Sequence, residues 1–273
     1  MLTRTFCLAL CGIAVVGTSY AQPANTFSTG KNDIRPLYLN DNTGPQRVLL
    51  TRENKFPKVG HAEVGGYFEH DEQFDNDRDS IGVYGRYGFW ENMAFEAGVP
   101  FVDSDFNGDS NSGVGDVDLK LDLLAFQDIF RYPFIIPHAD VSLPTGDEDK
   151  GLGSGETVFT FGVSVGTKVY DQLTYILDAS YAFNGRTIGD DTENIYMVSG
   201  SLVWDISDRF AVLAEGRLFE KNDFDDTPYQ AQGGLAYRIT EDVQIAGYGG
   251  TYREETDIEN KFDLASVRLS IQF

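Results

Sequence analysis

The chain has 273 residues and a mass of 30.3 kDa, with 43 Asp and Glu against 21 Lys and Arg, a formal charge of -22 and a sequence pI near 4.3. Such a balance excludes nucleic acid as a partner, because recognition of a phosphate backbone needs a basic face. Twenty Phe, 14 Tyr and 29 Gly against three Met and two Trp favour strands and turns, which argues against an all-α fold.

Residues 1–21 have the layout of an export leader. Arg4 forms the positive start, Phe6 to Gly17 the apolar core, and Ser19-Tyr20-Ala21 the small-x-small cleavage site before Gln22. The core is shorter than the roughly 20 apolar residues that a spanning helix needs. Cys7 and Cys11 leave with the leader, so the mature chain has no disulfide or thiol chemistry. Residues 22–59 lack any alternation, and Gln22 to Lys58 carries six basic against three acidic residues together with Pro23, Pro36, Pro45 and Pro57. This stretch reads as a periplasmic lead-in or as a partial plug, in which Arg47, Arg52, Lys55 and Lys58 meet carboxylates inside a lumen.

From residue 60 to 273 the chain breaks into about twelve segments of roughly ten residues with a period of two, the pattern of a transmembrane barrel. In the second, Ile81, Val83, Gly85, Tyr87 and Phe89 share one face and Gly82, Tyr84, Arg86 and Gly88 the other. The third sets Met93, Phe95, Ala97, Val99 and Phe101 against Glu96. The fourth sets Val117, Leu119, Leu121 and Leu123 against Asp116, Asp118, Lys120 and Asp122. A dry core could not hold that density of unpaired charge, whereas a water-filled interior could. Later segments repeat the scheme, with His138, Asp140, Lys168, Asp178, Glu215, Arg217 and Arg238 on the polar face. The last runs Ala265, Val267, Leu269, Ile271, Phe273 against Ser266, Arg268, Ser270, Gln272. The aromatic end, Phe273, is the assembly signal of such barrels. The fold class is therefore an all-β, antiparallel up-and-down transmembrane barrel.

Links between segments alternate short and long, as periplasmic turns and external loops do. The six long links, beginning with His70 to Ser80 and Asp103 to Ser112, hold 22 acidic against 6 basic residues. Aromatic residues gather near segment ends, with Phe89, Trp90, Phe126, Trp204 and Tyr237 toward the turns and Phe68, Phe101, Phe183 and Tyr229 toward the loops, as interfacial girdles would.

Chemistry-bearing motifs are sparse. His138, Asp140 and Ser142 share one strand face, but alternation turns that face inward, where it serves a hydrogen-bond network better than catalysis; no enzyme is expected. Asp103, Asp105, Asn107 and Asp109 resemble the start of a calcium loop, but Val114 stands where the bidentate Glu belongs. No cofactor is expected beyond Ca2+ at that loop.

Gly113-Val114-Gly115-Asp116, Val141-Ser142-Leu143-Pro144-Thr145-Gly146-Asp147 and Gly151-Leu152-Gly153-Ser154-Gly155 resemble the outer-membrane family called putative MetA-pathway of phenol degradation. The resemblance is concentrated in residues 113–168. It implies a porin-like barrel for aromatic or other small organic compounds, with no catalytic residues to carry over.

The expectation is a monomeric outer-membrane channel for small solutes. Its lumen carries Arg86, Lys120, Lys168, Arg217, Arg238 and Arg268 opposite Glu63, Glu96, Asp116, Asp118, Asp122, Asp140, Asp178 and Glu215. Its partners are outer-membrane lipid and lipopolysaccharide, the barrel assembly machinery and the solute. The competing expectation is a structural or surface-binding barrel whose acidic loops bind divalent cations or a partner.

Overall fold

The computed structural model describes residues 49–73, 76–106, 109–127, 133–169, 172–185, 193–220, 228–253 and 261–273. The leader and Arg47 lie outside them. Twelve strands follow one another around a ring: β1 (Ala62–Gln73), β2 (Asn76–Trp90), β3 (Met93–Phe106), β4 in two pieces (Asp109–Val114 and Val117–Leu123), β5 (Phe134–Leu143) and β6 (Val158–Val169). The ring continues with β7 (Leu173–Gly185), β8 (Glu193–Asp205), β9 (Phe210–Glu220), β10 (Tyr229–Arg238), β11 (Val243–Arg253) and β12 (Lys261–Gln272). Each pairs antiparallel with its neighbours, and β12 closes on β1 from Glu63↔Gln272 to Glu72↔Asp263. Closure leaves no unpaired edge, the condition for a sheet to stand in hydrocarbon. Among the described residues no helix is long and apolar enough to cross a membrane.

The period of two becomes two chemically distinct surfaces. On β2, Ile81, Val83, Tyr87 and Phe89 are exposed on the outside, while Tyr84 and Arg86 are buried inside. The same outward exposure holds for Phe159, Phe161, Val163 and Val165 on β6 and for Val267, Leu269 and Ile271 on β12. Trp90, Trp204 and Tyr237 at the turn end, with Phe68, Phe101 and Phe183 toward the other, border this band. Phe273 is two-thirds exposed, and its backbone exchanges hydrogen bonds with Ala62 at 2.9 and 3.0 Å, joining the chain end to the first strand.

Two expected links prove to be strand. Pairing runs through His70↔Asp79 to Gln73↔Asn76 and through Asp103↔Ser112 to Phe106↔Asp109. Alternation marks only the part of a strand that meets lipid. Beyond it both faces are polar, and the backbone ladder continues unannounced.

β4 is broken by a bulge. Phe101 pairs Val114 and Gly98 pairs Asp118, so three residues of β4 stand opposite Val99 and Pro100. Pro100 cannot donate to the ladder, and its carbonyl accepts from Gly115 N at 2.9 Å.

Candidate lumenal site and its internal strap

Residues 49–57, here called the strap, precede β1 and run inside the ring. Gly60, with φ of 80°, turns the chain from the strap into β1, and its N–H donates to Gly88 O at 2.8 Å. Within the strap Leu49, Thr51, Glu53, Asn54, Lys55 and Phe56 are buried, and Lys58 is exposed at its foot.

Strap backbone and wall side chains complement each other around much of the ring. Leu50 N donates to Glu215 Oε2 at 2.9 Å, and Leu50 O accepts from Arg217 Nη2 at 2.8 Å, both on β9. Thr51 Oγ1 donates to Ser201 Oγ of β8 at 2.8 Å, and Arg52 N donates to Ser164 Oγ of β6 at 2.9 Å. Lys55 O accepts from Arg86 Nη1 of β2 at 2.8 Å. A segment with no strand partner must have its polar groups satisfied in this way to lie buried.

The Arg52 side chain carries the strap's charge contact. Its Nη2 lies 2.5 Å from Asp140 Oδ2 and its Nε 3.3 Å from Asp122 Oδ1, while Arg86 Nη2 reaches the other Asp122 oxygen at 3.0 Å. Guanidinium remains charged in proteins, so Arg52, Arg86, Asp122 and Asp140 form an electrically balanced knot of two cations and two anions. Beside it Asp178 Oδ2 accepts from Ser164 at 2.6 Å and lies 2.8 Å from His138 Nε2. Because that serine donates to the carboxylate, it is not presented to the imidazole as a nucleophile to a base.

Elsewhere on the wall, Glu96 lies 3.0 Å from Lys120 Nζ and 3.9 Å from Arg268 Nη2. The Arg268 guanidinium sits 3.4 Å over the Tyr84 ring, whose hydroxyl donates to Glu63 at 2.8 Å. Arg217 Nε donates to Ser199 at 2.8 Å, and Gln232 donates to Glu215 at 2.7 Å. Asp118, like Lys120, is only half-buried. Lys168 and Arg238 have the inward parity but stand at the turn end of β6 and β10.

Sequence reasoning missed the apolar floor of this interior. Ala94, Phe134, Ile136, Ile176, Val203, Leu213, Ala236 and Ala246 point inward toward the turn end and pack around Leu49 and Phe56 of the strap. These side chains occupy lumen-facing positions of the alternation. The signal was a run of apolar residues on both faces near the turns, as in Phe134-Ile135-Ile136.

Asp116 is committed to a loop. The bulge turns its carboxylate toward residues 144–155, where it accepts from Gly146 N at 3.0 Å, Ser154 N at 2.6 Å and Ser154 Oγ at 2.7 Å. Thr145 Oγ1 donates to Gly115 O at 2.8 Å and accepts from Val117 N at 3.0 Å. Leu152 is buried, and a side chain at Gly153 would collide with Asp116 and Gly146, which explains the Gly-rich wording of this motif. At its exposed tip a hydrogen bond from Lys150 holds the Asp147 carboxyl below its ordinary value, and Asp147 raises Lys150 in return. Asp116→Ala removes three bonds to a charged acceptor, each worth about 1.5–3 kcal/mol. The expected outcome is faster limited proteolysis between 144 and 155 while the barrel's heat-modifiable gel band persists; an unchanged cleavage rate contradicts it.

Asp103 and Asp105 stand on the outer face of β3, opposite Ser112 and Ser110. An extended strand spreads alternate side chains about 6.6 Å apart, so at these two positions the backbone is strand and not the turn of a calcium loop. Asn107 and the Asp109 side chain lie outside what is described. Among the described residues no group of three or more His, Cys, Asp or Glu is placed to hold a metal.

A closed ring of twelve antiparallel strands, apolar outside and charged inside, defines an outer-membrane β-barrel. Residues 42–267 match the family described as "Putative MetA-pathway of phenol degradation", and the chain belongs to it. In structure it is similar to an outer membrane channel from Pseudomonas putida F1, with a TM-score of 0.63 and 12% identity over 83% of this chain and 100% of that one. It is also similar to the NanC porin, with a TM-score of 0.54 and 13% identity over 76% and 98%. The KdgM porin in complex with disordered oligogalacturonate gives 0.51 and 11% over 77% and 99%. No curated protein is significantly similar in sequence.

Proposed function

We infer that this protein is an outer-membrane channel, not an enzyme, for small organic solutes, and that the strap narrows its lumen. One observation carries the reading: a separate segment, residues 49–57, lies buried inside the ring of strands, against its inward-facing side chains. Eight strands enclose about the space their side chains occupy, whereas sixteen leave an aqueous channel. Twelve lie between, so a filling segment decides whether water passes. Porin-like relatives in structure and membership of a family described by phenol degradation support small organic molecules as the cargo class. The lumen residues of the solute path are Glu96, Asp118, Lys120 and Arg268 in the wall, with the Arg52 knot beside them.

The test is single-channel recording from the purified full-length mature chain in planar bilayers, with liposome swelling across sugars and phenols. Stepwise conductance is the expected result. A barrel that passes no ion, with or without residues 22–55, refutes the channel.

On this reading residues 1–21 are cleaved on export, residues 22–59 form the lead-in that ends in the strap, and residues 60–273 form the barrel. Short turns face the periplasm, and the acidic hairpins face lipopolysaccharide outside. Phe273 is the residue read by the assembly machinery. Deleting it should lower the amount of folded protein in outer-membrane fractions without preventing refolding into detergent in vitro; equal amounts in the membrane would overturn that role.

A further inference from the structure

We propose that Asp122 and Asp140 form a binding site for organic cations of the guanidinium and ammonium class, which Arg52 of the strap fills from within the same chain. A soluble cation of that class then competes with the strap for its anchor. The proposal deepens the channel reading and rests on it for its role in permeation, although the binding itself does not.

The carboxylates belong to adjacent strands, and one guanidinium lies between them, its Nη2 donating to Asp140 and its Nε in ion-pair contact with Asp122 at 3.3 Å. Planar, forked donors suit such a pair of acceptors better than a point charge does. Asp122 is 5% exposed, and its Oδ1, like Asp140 Oδ1, is buried without a hydrogen-bond partner, so the site retains acceptor capacity on both carboxylates. Arg86 neutralises only one of the two carboxylates. Without Arg52 the pair keeps Arg86 as its guanidinium partner and His138 Nδ1 at 4.0 Å from Asp140, while Glu96 and Asp178 are met by Lys120, Arg268 and His138, so the uncompensated charge is that of the second carboxylate. That residual charge is the driving force for an incoming cation. The acidic hairpins, with 22 acidic against 6 basic residues, raise the local concentration of cations at the mouth. A tethered group acts at an effective concentration in the millimolar range, so a free cation at about 50 mM can compete with it or replace it.

The experiment compares the mature native chain, Arg52→Ala, and Arg52→Ala combined with Asp140→Asn, with methylguanidinium chloride as the probe at fixed ionic strength. In planar bilayers Arg52→Ala is expected to conduct K+ better than the native chain, and about 50 mM probe to lower that conductance by about half. The double variant should be insensitive. The second readout needs no conduction: the temperature at which the folded gel band of Arg52→Ala converts should rise by about 2–4 °C with probe, and that of the double variant should not. Equal response of the two variants, or no response of Arg52→Ala in the gel, overturns the site. A gel response without any conductance in any form keeps the site and removes the channel.

Discussion

Deleting Gln22 to Lys55 from the mature chain is expected to raise single-channel conductance several-fold and to admit sugars in liposome swelling. The deletion removes Leu50, Thr51 and Arg52 with their bonds to Glu215, Arg217, Ser201, Ser164, Asp122 and Asp140. The ring itself should survive, because its closure rests on strand ladders that the strap does not enter. Wall charges that lose their partners would be hydrated by the water that replaces the strap, so the large penalty for an isolated buried ion does not arise. Heat modifiability on gels therefore checks that the truncated barrel is folded, and conductance reads the opening. Unchanged conductance of a folded truncation would mean that the strap does not narrow the path.

A second large effect is expected at the lipid face. Leu177 is half exposed on the outside of β7, midway along its membrane-facing part. Leu177→Arg places a charge near the bilayer midplane and is expected to cost about 2–4 kcal/mol of folding free energy. Ser180→Arg, turned inward on the same strand, meets water and wall carboxylates and should cost far less. Urea titrations of refolding into lipid vesicles measure both. Equal costs for the two positions would deny that the faces differ in solvent, and the barrel reading would fall with that difference.

The contrast between these positions shows how much of the molecule could be read without coordinates. Leu177 and Asp178 differ by one residue, and the inversion of their surroundings is written in the chain because hydrocarbon and water select side chains one at a time. The same holds for Val267 and Arg268, and for Ile81 and Gly82. Strand number, inside and outside, the aromatic borders and the terminal Phe273 all follow from that local rule. The floor of Phe134, Ile136, Ile176 and Leu213 escaped it, since an inward apolar residue breaks the rule unless something apolar lies inside to meet it. Asp116 escaped it too, because one extra residue at the Pro100 bulge changes the parity that alternation assumes.

By itself the sequence determined a chain with two solvents, its wall of twelve strands and the charges that line it. Only the tertiary structure decided what fills the wall. Leu50 meets Glu215 across 165 residues and Arg52 meets Asp140 across 88, and which wall oxygens face which strap donors depends on ring closure and strand register. No local pattern encodes those, because the partners become neighbours only once the barrel has closed around them.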